Sequence, residues 1–510
     1  MKKALISLSD KDKLKEFATE LVSLDYEIFS TGGTLDALQK ANIPAKAVTD
    51  LTGFPEIMNG RVKTLHPKIF GGILAIQTNE EHIKQAKEYG IELFDLVAVN
   101  LYPFEKTANN PMASWSEKIE QIDIGGPSLI RAAAKNYQYI NILTDPADYE
   151  NIITEIRENE ETSIETRKYL AFKAFSHTAA YDSLITAAFN DGEKYMNKTI
   201  LNIGKPLKQK LRYGENPHQK ANFYESAYDN IIEVVHGKQL SYNNYLDIDS
   251  ALKLIMNFTE PATAIIKHTN PSGVATADTI LEAYEKAFAT DTISPFGGIV
   301  VVNKELDLKC AQAINKVFTE IIIAPAIDDE VMAFLKKKKD RRIVIYKKEE
   351  LYKLKSHNDI VNCLNGYLCQ ITDTVDINNE KWAYATNNIP SEECLKSLLF
   401  AWKVVAKAKS NAICLVKGTQ TIGIGIGQTS RVDAMKIAID RAKEMGFDLY
   451  NAICASDGFF PKTDSIELLA KNGIKAVIQP GGSVADQDVI DACNDANIAM
   501  VITGARHFRH

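Results

Sequence analysis

An imidazole beside a primary amine can move a proton while steadying a developing negative charge. The chain carries such a pair, Lys267-His268, directly after the small apolar residues 263–266, which read as a short buried strand. Asn270-Pro271-Ser272-Gly273 follows and predicts a turn, because Pro and Gly interrupt a central strand. A cation and a titratable ring at a strand end suit a ligand site. The plainer alternative is a surface lysine beside a histidine that caps a turn. A second set lies near the start of the chain. Gly32-Gly33-Thr34 and Gly125-Gly126-Pro127 each open a predicted helix, where free backbone N–H groups attract anions and Pro in the first turn costs little. Arg61 and Lys63 alternate, so they share one side if the segment is extended. With Lys11 and Lys135 also near strand ends or helix turns, and Asp123 just before the glycine pair, the set predicts acid/base chemistry on a phosphorylated substrate. A surface salt-bridge cluster is the alternative.

The elements that must position these residues alternate strand and helix. Strands are expected at 4–8, 27–31, 94–100 and 139–143, with helices at 11–24, after Gly32, from Ile124 to Lys135, near 147–158 and at 163–189. This is a doubly wound α/β domain with a mostly parallel sheet. Residues 196–222, rich in Lys, Gly, Asn and Pro, read as a boundary. Alternation then resumes in two related units. One begins at Thr263; the other has strands at 412–416, 421–426, 451–455 and 475–479 and a helix at 431–446. Gly423-Ile-Gly-Ile-Gly427 lacks the spacing and the acidic partner of a dinucleotide loop, so it reads as a strand whose glycines admit close backbone approach. No phosphate-binding loop of the G-x-x-x-x-G-K-[ST] type occurs. The run Lys336-Lys-Lys-Lys-Asp-Arg-Arg342 is expected to be a solvated helix end or loop.

With 510 residues the chain has room for two to four domains and a large core. Its net charge of -7 argues against a general nucleic-acid footprint. No apolar run reaches the roughly 18 residues of a membrane span. Seven cysteines, without metal-ligand spacing and none before Cys310, are expected as reduced thiols of a cytoplasmic protein, mostly acting as small buried hydrophobes.

Many longer motifs extend these clusters. They include Ser7-Leu-Ser-Asp-Lys11, Ser30-Thr-Gly-Gly-Thr34, Gly60-Arg-Val-Lys-Thr-Leu-His-Pro67, Asn100-Leu-Tyr-Pro-Phe104 and Ile122-Asp-Ile-Gly-Gly-Pro127. Further on stand Leu211-Arg-Tyr-Gly-Glu-Asn-Pro-His-Gln219, Lys267-His-Thr-Asn-Pro-Ser-Gly273, Lys409-Ser-Asn411, Gly427-Gln-Thr-Ser-Arg431, Phe459-Phe-Pro461 and the tail Arg506-His-Phe-Arg-His510. In this order and over the whole length, the chain resembles the bifunctional purine-biosynthesis family, which joins 5-aminoimidazole-4-carboxamide ribonucleotide (AICAR) formyltransferase to inosine monophosphate (IMP) cyclohydrolase. It departs from the family pattern at Pro295, Gly458, Lys462 and Ala485.

The resemblance implies an α/β fold: a methylglyoxal-synthase-like domain over 1–195, then a formyltransferase region over 196–510. That region would hold two cytidine-deaminase-like units without zinc, near 200–365 and 366–510. It also implies 10-formyltetrahydrofolate as co-substrate, no metal, and a homodimer with the formyltransferase site between subunits. For formyl transfer, His268 would take the proton, Lys267 would steady the formyl oxygen or the folate, and Asn411 would orient the formyl group. Arg212, Tyr213, Arg506 and His510 would hold the nucleotide; Phe296, Phe459 and Asp464 would lie near the ligands. For ring closure, Lys63, Tyr102, Asp123 and Lys135 would handle protons and the oxyanion. Ser9, Lys11, Ser30, Gly32, Thr34, Arg61, Thr64, Gly125 and Gly126 would surround phosphate and ribose. A nucleotide-binding regulatory protein without turnover would keep the phosphate cradles but has no need of Lys267-His268 and Asn411. A single-activity enzyme of the methylglyoxal synthase type would leave the chain beyond about residue 195 unexplained.

Overall fold

A computed structural model describes residues 1–189, 200–225, 230–351, 354, 358–375 and 382–510. The chain divides into two compact units, Met1–Pro206 and Leu207–His510. The expected boundary at 195/196 lies outside the described residues.

In the first unit, β1 (Lys2–Leu8), β2 (Tyr26–Ser30), β3 (Lys46–Ala47), β4 (Leu96–Asn100) and β5 (Asn141–Leu143) form one sheet in the order β3-β2-β1-β4-β5. Every pairing is parallel. Near-continuous apolar runs such as Leu96-Val-Ala-Val99 are what a strand covered on both faces requires. The order reverses between β1 and β4, so crossovers leave in opposite directions and a crevice opens above the C-terminal ends of those strands. β3 and the helices Pro67–Leu74, Glu80–Glu88, Phe104–Ala108 and Trp115–Glu120 had no expectation from sequence. β3 has two residues and all four helices have nine or fewer, so their periodic signal is weak.

The second unit adds β6 (Leu207–Leu211), β7 (Ala221–Tyr224), β8 (Ile232–His236), β9 (Ala262–Lys267), β10 (Asn270–Thr276), β11 (Gly298–Val302), β12 (Thr319–Ala324) and β13 (Arg342–Tyr346). It continues with β14 (Asn358–Cys363), β15 (Gly366–Ile371), β16 (Ala383–Tyr384), β17 (Ile413–Lys417), β18 (Gln420–Gly425), β19 (Ile453–Ser456), β20 (Ala476–Gln479) and β21 (Ala499–Ile502). Twelve of these strands make one sheet, β16-β21-β20-β19-β17-β18-β10-β9-β11-β12-β13-β8. Read outward from the central β18-β10 pair, both halves give the same order and the same directions: an antiparallel hairpin, an antiparallel neighbour, two parallel strands and an antiparallel edge. The sequence repeat is therefore a structural one, running from β8 to β13 and from β16 to β21. The expected division near 365/366 falls at the tip of the β14-β15 hairpin, where Cys363 pairs with Gly366.

The repeat extends to single residues. Gly273 in β10 packs so closely on the helix Ile280–Ala289 that a Cβ would stand 1.9 Å from the Ala287 carbonyl oxygen. Gly423 in β18 meets the Ala438 carbonyl of the helix Arg431–Glu444 in the same way, at 2.1 Å. Of the glycines expected to allow close approach, Gly423 and Gly425 do so against this helix, whereas Gly427 lies beyond β18 at φ 65° with open space at its Cβ position.

Two expectations are corrected. Asn270-Pro271-Ser272-Gly273 is not a turn: it begins β10, and a register shift between Pro271 and Gly273 removes the need for a proline N–H in the ladder. The turn is His268-Thr269, with φ of 50° and 64°. Positive φ at both central residues is the geometry of a two-residue hairpin, unusual for residues other than Gly, Asn or Asp. The basic run is not wholly solvated. Arg341 is buried, its Nε donating to the Thr319 carbonyl at 3.2 Å and its Nη1 to Asn315 Oδ1 at 2.9 Å. Arg342 opens β13 and pairs with Glu320 at 2.9 Å.

Candidate functional sites

A cavity of about 850 Å³ occupies the crevice of the first unit. It is lined from the end of β1 (Ser7, Ser9, Lys11), the turn after β2 (Gly32, Gly33, Thr34), the end of β4 (Asn100, Tyr102), the loop Gly60–Leu65 and the turn 119–126. No side chain caps the helix Gly32–Lys40, whose N-terminus opens here. The Lys63 ammonium stands 3.5 Å from where a Cβ on Gly32 would lie, and the Lys11 ammonium 3.9 Å from the same point on Gly33. Two cations converging on an uncapped helix N-terminus make an anion site. Thr34 is buried and exchanges hydrogen bonds with the Leu8 backbone at 2.9 and 3.0 Å, which locks this turn to the end of β1.

The second glycine pair behaves differently. The helix starts at Gly125, and the Gly126 N–H donates to Asp123 Oδ1 at 2.8 Å. Asp123 therefore caps the helix that was expected to hold a ligand anion. A Cβ on Gly126 would come within 2.4 Å of Asp123 Oδ2, so glycine is what lets the carboxylate lie there. Burial raises the Asp123 pKa above the ordinary carboxylate range, opposed by backbone N–H donors of Gly126, Tyr102 and Gly125 and by the Lys63 charge. A partly buried carboxylate with a raised pKa at a cavity wall is suited to accepting and returning a proton.

Arg61 and Lys63 do not lie on an extended strand. A turn at Met58–Gly60 and a single bridge between Ile57 and Val62 fold the segment back. Arg61 then pairs with Glu120 and Lys63 with Glu56 at 3.5 Å. Thr64 lines the cavity. Two residues named from sequence are elsewhere. Ser30 is fully buried and donates to the Ile6 carbonyl at 2.7 Å, which ties β2 to β1. Lys135 ends the helix that Gly125 begins, ten residues on, and lines a separate, largely apolar hollow with Phe70, Arg131, Phe172 and Phe175. Asn100 was missed as an individual residue: its Oδ1 accepts from the Ser9 and Asp10 N–H groups at 2.6 and 3.1 Å and shapes the β1 turn. A polar residue closing an apolar strand was the available signal.

In the second unit Lys267 ends β9 and His268 begins the turn of the β9-β10 hairpin. Lys267 Nζ donates to the Phe296 carbonyl, and His268 is exposed. Phe296 is 63% exposed and lies against Phe318. The loop 409–411 is brought to this hairpin by Asn270, whose Oδ1 accepts from the Lys409 N–H at 2.9 Å. Asn411 Oδ1 accepts from Arg431 Nη2 at 2.6 Å, and Asn411 Nδ2 donates to the Gln428 carbonyl at 2.8 Å. Arg431 in turn pairs with Asp457, which is wholly buried. Asp457 also accepts from the Ser410 hydroxyl and the Ala412 N–H. Removing one partner of such a pair leaves an uncompensated buried charge, at a cost of about 3–5 kcal/mol. The pair thus holds the Asn411 loop in place. Gly458 is explained by the same contact: a Cβ there would stand 2.4 Å from Arg431 Nη2. Phe459 follows, partly exposed. The tail reaches this cluster, with the His507 N–H donating to the Asp457 carbonyl at 3.0 Å. Arg506 lies over the Phe508 ring and His510 stands beside it. Arg212 lies over the ring of its neighbour Tyr213, and Asp464 opens the helix Asp464–Lys471.

The first unit is a doubly wound domain whose cavity brings two lysines to an uncapped helix N-terminus and a partly buried carboxylate to its wall, and the second is a pseudo-symmetric α/β body with Lys267-His268 at a hairpin turn. Residues 13–128 match the MGS-like domain and residues 133–441 match the AICARFT/IMPCHase bienzyme. The chain is 48% identical to the "Bifunctional purine biosynthesis protein PurH" of Caldicellulosiruptor saccharolyticus, with all of both chains covered. It is 49% identical to the protein of that name from Chlorobaculum parvum, covering 100% of this chain and 99% of the relative, and 47% identical to that of Enterococcus faecalis over all of both chains. A solved structure described as "Crystal structure of ForH" is 34% identical and covers 37% of this chain and 99% of its own, with a TM-score of 0.34. The chain belongs to the AICARFT/IMPCHase bienzyme family of bifunctional purine biosynthesis proteins.

Proposed function

We propose that the cavity of the first unit closes the purine ring and that the hairpin cluster of the second unit transfers the formyl group. As a member of its family the chain is a formyltransferase and IMP cyclohydrolase that catalyses the last two steps of IMP synthesis. The formyl donor is of the folate type; 10-formyltetrahydrofolate is the donor proposed. The 5-amino nitrogen of AICAR attacks the formyl carbon, and His268 accepts the proton released from that nitrogen. Lys267 and Asn411 face the charge on the formyl oxygen, and the carbon–nitrogen bond to the folate breaks as the folate nitrogen takes a proton back. The products are the formylated nucleotide, FAICAR, and tetrahydrofolate.

In the first unit the carboxamide nitrogen of FAICAR attacks the formyl carbon, and loss of water completes the ring. Both reacting groups are in one molecule, so orientation supplies much of the rate. Asp123 would take the amide proton, with Lys63 and Tyr102 facing the oxyanion and Lys11, Gly32 and Gly33 on the phosphate. Neither proposed reaction requires a metal. The reading rests on Asp123, with its raised pKa, sharing one cavity with Lys63, Tyr102 and the Lys11 ammonium at the helix N-terminus. It extends to a cytoplasmic homodimer with the formyl-transfer site between subunits. The exposed Phe296, whose carbonyl receives Lys267, and the exposed Phe318 against it support that arrangement.

The direct test mixes the protein with AICAR and 10-formyltetrahydrofolate, without added metal or nucleoside triphosphate. IMP and tetrahydrofolate are expected in equal amounts. Tetrahydrofolate without IMP would overturn the assignment of the first cavity, and nucleotide binding with neither product would favour a regulatory role.

A further inference from the structure

The penultimate residue, Arg509, lies between the two loops assigned to formyl transfer. Its Nη1 donates to the Thr269 carbonyl at 2.9 Å and to the Lys407 carbonyl at 2.8 Å. Its Nη2 donates to Ser250 Oγ, and that hydroxyl itself donates to the Thr269 carbonyl at 2.9 Å. The Arg509 backbone carbonyl accepts from the Ser410 N–H at 2.9 Å. One residue therefore grips the His268-Thr269 turn and, at Lys407, the segment leading into the Asn411 loop with its guanidinium, and the loop itself, at Ser410, with its backbone. From the other side Asp247 Oδ1 accepts from the Thr269 N–H at 2.6 Å. Asn270 completes the frame, donating from Nδ2 to the His268 carbonyl at 2.9 Å while its Oδ1 receives the Lys409 N–H.

This frame answers a conformational problem. His268 and Thr269 both hold positive φ, and Thr is β-branched. The matching turn of the second repeat has Gly418 at φ 55°, where no side chain opposes the geometry. In the first repeat the turn keeps two side chains in a backbone region that disfavours them, so other contacts must maintain it. A planar guanidinium with several fixed donors can bridge two carbonyls at once, which an ammonium cannot do with the same geometry.

From this we infer that Arg509 is a positioning residue for formyl transfer, clamping the His268 turn to the Asn411 loop so that proton acceptor and formyl-orienting amide keep a fixed separation. The inference rests on the proposed role of His268. Arg509 itself acts through the two loops; its neighbours Arg506 and His510 are the tail residues assigned to the nucleotide.

The test is a double-mutant cycle on the full chain, with R509K, H268A and R509K/H268A assayed for formyl transfer and for ring closure of supplied FAICAR. R509K should lower the kcat of formyl transfer about tenfold or more, with the KM for AICAR within about threefold and ring closure unchanged. On the H268A background the same substitution should cost less than about threefold, because the group it positions is gone. Full kcat in R509K, or a loss carried undiminished onto the H268A background, overturns the inference. Normal formyl transfer in H268A alone would instead remove the parent reading, and the inference with it. If R509K does not fold by circular dichroism, S250A decides: it removes one bond to Thr269 and one to Arg509, and should lower kcat about threefold or more with the same dependence on His268.

Discussion

At the scale of single residues, two groups hold conformations or charge states that folding alone would not select. His268 sits at φ 50° where the matching position of the second repeat has glycine. Asp123 is partly buried, with its pKa raised chiefly by desolvation. For a carboxyl group raised in this way, the folded state binds a proton more readily than the unfolded chain. Stability from this group is present below the unfolded value, about 3.9 for Asp, and is lost as pH rises through the folded value. D123N removes the charge and keeps the size. It should therefore raise the melting temperature of the first unit near pH 7, with the gain vanishing as pH approaches 4. Ring closure should fall about 10²–10⁴-fold while formyl transfer is unchanged. A variant that loses stability at pH 7, or retains ring closure, would show that Asp123 is a structural cap only.

At the scale of elements, the close seat of strand on helix in both repeats depends on a missing side chain. Gly273 and Gly423 each leave no room for a Cβ against a helix carbonyl. The obstructing atom is backbone, so relief requires the helix to move off the sheet. G273A or G423A should each destabilise the second unit by about 3 kcal/mol or more, the upper end for overpacking. Urea unfolding checks this, with ring closure by the first unit as the internal control. A melt unchanged within error in either variant would show that the helices can shift freely.

At the scale of the whole molecule, the proposed assignment draws the two reactions from residues of separate compact units. The cavity proposed for ring closure takes its lining from one unit of one chain, whereas the hairpin cluster proposed for formyl transfer leaves large apolar side chains such as Phe296 exposed. Sedimentation velocity should give twice the 56.6 kDa chain mass. Dilution through the dissociation range should reduce specific formyl-transfer activity before ring closure. A fully active monomer would place the whole transfer site within one chain.

Local signals were sufficient for much of this. The strands around Ala4–Leu8 and Leu96–Asn100 and the helix opening at Gly125 announce themselves through continuous apolar runs, glycine pairs and cap positions, all of which act between near neighbours. The same holds for the repeat, since Gly273 and Gly423 lie at the same point of the same strand-helix motif, and for the Lys267-His268 pair at the end of its strand. Tertiary structure decided what depends on distant partners. It turned Asn270-Pro271-Ser272-Gly273 into a strand, because a second strand and a bulge were there to receive it. It used Asp123 rather than a ligand to cap Gly126, buried Ser30 between strands and placed Lys135 away from the cavity. It also brought Arg509 beside Thr269, 240 residues away in sequence. Spacing along a chain specifies which face of an element a residue occupies; only packing specifies what meets that face.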